Sequence, residues 1–107
     1  MMLALALALT LAAAALAPAA HASAFCEIKP TADGYVALRE GPGASARLLE
    51  RMTSKDEIML GPGRRGAWVE VVYWRGGRFA SGLHETGDPP TARGWMHSGL
   101  VAPDSCG

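Results

Sequence analysis

Two Gly-Pro-Gly triplets, Gly41-Pro42-Gly43 and Gly61-Pro62-Gly63, are the first residues in this chain that suggest chemistry. Glycine-rich loops can cradle a phosphate. They do so by presenting consecutive backbone N–H groups at a helix N-terminus, with a Lys and a Ser or Thr close by. Here Pro42 and Pro62 each remove one of those donors, and neither triplet runs into Gly-Lys-Ser/Thr. Pro followed by Gly instead suits the central positions of a type II turn. Both triplets are therefore read as turns between strands. Arg64 and Arg65 after the second triplet could meet an anion, although adjacent surface arginines are commonly just solvated.

Other reactive side chains are sparse. Beyond residue 24 there are two histidines, His84 and His97, and their spacing matches no metal motif. Ser98 follows His97 directly, and neighbours on a strand point to opposite faces, so they form no dyad. Cys26 and Cys106 lie near the two ends of the segment. In an exported chain they suggest a disulfide rather than two free thiols, which leaves neither available as a nucleophile. No catalytic constellation can be assembled, and the chain is read as non-catalytic, with no cofactor and no metal. The aromatic residues offer more. Trp68, Trp74, Trp95, Tyr35 and Tyr73 are many for a small domain. Tyr73 and at least one Trp are expected in the core. For Trp68 and Trp95 two readings stay open, core packing or an exposed groove that binds peptide or glycan.

The elements that must position these residues follow an apolar leader. Residues 1–20 carry no charged side chain, and small residues at Ala22 and Ala24 suit a signal peptidase. Residues 1–24 are read as a signal peptide cleaved after Ala22 or Ala24, which places the remainder in the periplasm or outside the cell. An uncleaved anchor is the competing reading, since about 20 apolar residues can span a bilayer; the alanine-rich composition makes it a weak one. Phe25 before Cys26 does not suit lipid attachment. No stable membrane span is expected after cleavage. Ten basic and ten acidic residues balance, unlike the basic footprint of a nucleic-acid binder. A monomer is expected.

Short apolar runs broken by Gly, Pro and Asp fill residues 25–107. "YVAL" (35–38), "ARLLERM" (46–52), "EIMLG" (57–61), "AWVEVVYW" (67–74) and "GWMHSGLV" (94–101) are the strand candidates. In the strongest, Trp68, Glu70, Val72 and Trp74 share one face, and Val69, Val71 and Tyr73 the other. Residues 75–93 form a long connection that is either functional or mobile. The expected fold is all-β, a small barrel or sandwich.

Four of these pieces together resemble bacterial SH3 domains. "VALREGPGASARLLERM" (36–52) is similar to the opening motif, "DEIM" (56–59) to the acidic turn, "GAWVEV" (66–71) to the Trp-bearing central strand, and "GWMHSGLV" to the closing element. The likeness covers about residues 34–102, in family order. Ala37, Glu40 and Ala46 depart from the pattern, and residues 75–93 are longer than the usual hairpin. The resemblance implies an SH3-like barrel of about five short antiparallel strands. It also implies a binding module of the cell envelope whose ligand is peptidoglycan or another extended peptide. Tyr35, Arg39, Glu40, Trp68 and Trp95 are the expected ligand-binding residues. The alternative is an interaction or inhibitor domain that engages a periplasmic protein through residues 75–93.

Overall fold

A computed structural model describes residues 24–107; the proposed leader lies outside the described residues apart from Ala24. Six strands follow one another: β1 (Phe25–Glu27), β2 (Val36–Arg39), β3 (Leu48–Met52), β4 (Glu57–Arg65), β5 (Trp68–Trp74) and β6 (Ala92–His97). Among the described residues one 3-10 turn, Ser98–Leu100, is the only helical element. All strands join one antiparallel sheet in the order β1-β4-β5-β6-β2-β3.

The sheet is not closed into a barrel, because the end strands β1 and β3 are not paired with each other. The strand count is six rather than five. The extra strand, β1, is three residues long, too short for an alternating pattern to show. It lies on β4, with Cys26 opposite Ile58. Its far edge is covered by the C-terminal segment: Ala102 N–H donates to Glu27 O at 2.9 Å and Gly107 N–H to Phe25 O at 3.2 Å. A Cys26–Cys106 disulfide holds that segment in place.

Alternation on the strands builds the core. Val36 and Leu38 of β2, Val69, Val71 and Tyr73 of β5, and Met96 of β6 point inward with Ile28, Met52 and Ile58. Burying such side chains contributes about 1.5–3 kcal/mol each. Gly94 lets β2 come close to β6. A Cβ there would lie 2.6 Å from Arg39 O and 3.0 Å from Leu38 Cγ.

One charged group enters this interior. Asp56, in the turn before β4, is 7% exposed and fully partnered. Its Oδ2 accepts Tyr73 O–H at 2.8 Å and Thr53 N–H at 2.8 Å, and its Oδ1 accepts Gly76 N–H at 2.7 Å. Burial, then the bond to Asp56 and the carboxylate's charge, push the Tyr73 phenol up to about 12, with Arg75 pulling the other way.

The two Gly-Pro-Gly triplets differ. Residues 41–43 do lie in the β2–β3 connection. Yet the hydrogen-bonded corner comes later, with Ala46 N–H donating to Gly43 O at 3.1 Å. Gly43 is not among the glycines with positive φ, so the expected type II geometry is not adopted. Residues 61–63 are not a turn between strands. They lie inside β4, where the register shifts between Leu60 (opposite Val71) and Arg64 (opposite Val69). Three residues therefore oppose Glu70 alone, a bulge that glycine tolerates.

Candidate functional site

The face of the sheet opposite the core carries the candidate site. Its composition follows from register. On β5 the outward residues are Trp68, Glu70, Val72 and Trp74; on β6 they are Arg93, Trp95 and His97. Trp68 lies opposite His97 on one side and Arg65 of β4 on the other. Glu70 lies opposite Trp95, and Trp95 opposite Arg39 of β2. Val72 lies opposite Arg93. Trp68 and Trp95 are diagonal neighbours, both half-buried, on a platform four strands wide.

The bulge in β4 fits under this platform. Gly63 N–H donates to Glu70 Oε1 at 3.2 Å. A Cβ on Gly63 would meet that oxygen at 2.8 Å and Trp95 Cη2 at 2.9 Å. The second Gly-Pro-Gly is thus the seat of Trp95. At the other rung the His97 ring meets the Trp68 indole edge-on, with centroids 5.7 Å apart. His97 Nδ1 accepts Gly99 N–H at 3.0 Å, which leaves Nε2 to carry the proton.

Of the five expected ligand-binding residues, Arg39, Trp68 and Trp95 share this face. Arg39 is anchored there, its Nη1 donating to Ala46 O at 2.9 Å. Glu40 does not join them. It lies in the β2–β3 connection and pairs with Arg47 at 3.1 Å, both side chains well exposed. Tyr35 lies beyond the end of the β2–β6 pairing. It lines a separate cleft of about 100 Å³ with Lys29, Pro30, Met52 and Ser54 among its walls, and Arg51 stacks on its ring at 5.2 Å. Strand alternation fixes faces but not lateral neighbours, so it put Glu70 on the face of Trp68 and missed Arg93 and His97 of β6 as companions across the strands.

Trp74 points to the same side yet is 7% exposed. Phe25 packs on it with centroids 5.8 Å apart, and Arg78 lies over Phe25 at 4.3 Å and over Phe79 at 4.7 Å. The long connection completes the cover that Phe25 of β1 begins. It spans residues 75–91, since Ala92 and Arg93 belong to β6. Trp74 Nε1–H donates to Asp88 O at 2.7 Å, and Asp88 N–H to Arg78 O at 2.6 Å. Ser81 donates both its N–H and its hydroxyl to the Asp88 carboxylate. Those bonds, with His84 nearby, hold the Asp88 carboxyl below its ordinary value. Leu83, at the middle of this connection, is 82% exposed, and Phe79 is 52% exposed.

Among the described residues no group of three His, Cys, Asp or Glu is placed to hold a metal ion, and no helix is long and apolar enough to cross a membrane. The Cys26–Cys106 bridge fits an oxidising compartment. Comparisons with protein-family models, with curated proteins and with solved structures found no match.

Proposed function

We propose that this protein is an exported, non-catalytic binding module of the bacterial cell envelope, of the bacterial SH3 type in an open-sheet form. Its ligand is peptidoglycan or another extended wall peptide. The observation that carries the reading is the Trp68–Trp95 platform. Two half-buried indoles lie diagonally across neighbouring strands on the sheet face away from the core, and the Gly63 bulge seats one of them. Flat aromatic surface with polar groups at its margin suits sugar rings and extended peptides. The disulfide supports an oxidising location, and the apolar leader of residues 1–24 supports export.

Retention on purified sacculi tests this. The wild-type protein should sediment with sacculi, and Trp95→Ala should remain in solution while keeping its melting temperature within a few degrees. Equal sedimentation of the two would remove the platform from the mechanism.

A second reading rests on a different observation. Residues 75–91 are braced at Asp88, and they display Leu83 and Phe79 to solvent. A preorganised connection with an apolar tip suits insertion into a pocket of a periplasmic protein. Under that reading Leu83→Ala abolishes capture of such a partner, and Trp95→Ala leaves it intact.

A further inference from the structure

The platform has a charge pattern that composition hides. The chain as a whole is balanced, ten cationic residues against ten acidic ones. Register gathers the cations on this face. Arg65 lies beside Trp68, Arg39 beside Trp95, and Arg93 one rung further along β6, with His97 between the strands' ends. Arg65 and Arg93 are exposed and in no ion pair among the described residues. Two arginines elsewhere are spoken for, Arg47 by Glu40 and Arg75 by Glu50, while Arg51 and Arg64 are, like Arg65 and Arg93, exposed and in no ion pair among the described residues. Glu70 is the acid set between these cations, with Oε1 already accepting Gly63 N–H; Glu57 lies on the same face further along, opposite Trp74, where its Oε1 accepts Arg78 N–H. His97 presents its Nε2 side as a donor, because Nδ1 is occupied by Gly99.

From this arrangement we infer that the platform selects carboxylate-bearing wall peptide: the rings of Trp68 and Trp95 take the neutral part of the ligand, and Arg65, Arg93 and His97 take its carboxylates. Arginine forks match carboxylate geometry, and a cation that has no partner in the free protein gives up none on binding. Glu70 then acts as a selectivity element. Its charge stands between the cations and opposes a carboxylate placed directly over Trp95, so ligand carboxylates are confined to the margins. The inference rests on the envelope-binding reading above and adds the chemical class of ligand.

The experiment compares sacculi stripped of phosphate polymers with the same sacculi after carbodiimide amidation, which neutralises stem-peptide carboxylates and leaves glycan intact. Retention on untreated sacculi and its loss on amidated sacculi is the expected result. Arg93→Gln and Arg65→Gln should each weaken retention about threefold, the size expected of one exposed charge contact. Glu70→Gln keeps an oxygen for Gly63 N–H, removes the charge, and should tighten retention by a similar factor. Equal binding to both kinds of sacculi overturns the carboxylate inference and leaves the envelope-binding reading standing. Failure to bind untreated sacculi overturns both. Displacement by single-stranded oligonucleotide as effective as displacement by soluble stem peptide also overturns it, since the face would then read negative charge alone.

Discussion

At the scale of single residues, two glycines of ordinary φ differ in steric cost alone. Gly43 has open space where a Cβ would go and an ordinary φ. Gly43→Ala should be neutral or stabilise by up to about 1 kcal/mol through the unfolded state. Gly63 also has an ordinary φ, yet its Cβ would strike Glu70 Oε1 and Trp95 Cη2. Gly63→Ala should cost about 1–3 kcal/mol and shift the Trp emission spectrum, because Trp95 must move. Chemical denaturation of the pair, read by fluorescence, checks both outcomes. The two triplets are identical in sequence, so this difference was not legible there. It comes from what lies across the sheet. Asp56 gives a second test at this scale. Tyr73 O–H, Thr53 N–H and Gly76 N–H converge on its carboxylate. Asp56→Ala strands these donors and should cost about 3 kcal/mol or more, against about 1–2 kcal/mol for Tyr73→Phe. Tyr73 also sets an alkaline limit. Its phenol keeps its proton to about pH 12 when folded and to about pH 10 when unfolded. Unfolding therefore releases a proton between those values. The stabilisation is complete below about pH 10 and is lost as pH rises through 12. Melting temperatures across that window should fall for the wild type, and less steeply for Tyr73→Phe.

At the scale of elements, strand alternation carried most of what the sequence could say. "AWVEVVYW" assigned both faces of β5 correctly, with Val69, Val71 and Tyr73 inward, because seven residues give several repeats of the period. β1 escaped notice because three residues give almost none. The long connection was legible as an exception and not as a structure. Much of its order comes from long-range bonds such as that of the Asp88 carboxylate, which accepts from Ser81 eleven residues before β6 begins. Hydrogen bonds of that kind leave no periodic trace. They do make a prediction. Asp88→Ala should leave the sheet intact and expose the Ser81 and Leu83 amides to rapid hydrogen exchange, since Ser81 N–H donates to Asp88 and Leu83 N–H to Ser81 Oγ. Acid should do the same to the wild type. The Asp88 carboxyl is held low, so the bracing is present above about pH 4 and fades as pH falls through its depressed value. Exchange at those two amides that is unchanged by the substitution would show that the connection is held elsewhere.

At the scale of the whole molecule, the open sheet raises the question of what protects its ends. An uncovered edge strand is a template for unwanted pairing. β1 is covered: the backbone of Ala102 and Gly107 bonds to it, and Glu27 N–H donates to Ser105 Oγ at 3.0 Å. Few apolar contacts hold that C-terminal segment; Cys26 is 1% exposed, and its bond to Cys106 ties the segment down. The staple joins positions 80 residues apart, close to the full span of the described residues. In the chain-entropy account such a closure contributes about 4.5 kcal/mol, a large part of what so small a domain can hold in total. Cys106→Ser should therefore lower the melting temperature by on the order of 20 °C. A reductant should lower the wild type to match and leave the variant unmoved. The variant should also self-associate more readily, because release of the segment exposes the β1 edge. Light scattering at rising concentration reads this second effect separately from the first. A variant that melts early yet stays monomeric would mean the segment remains on β1 without its covalent tie. The bridge would then stabilise the fold only through the unfolded chain.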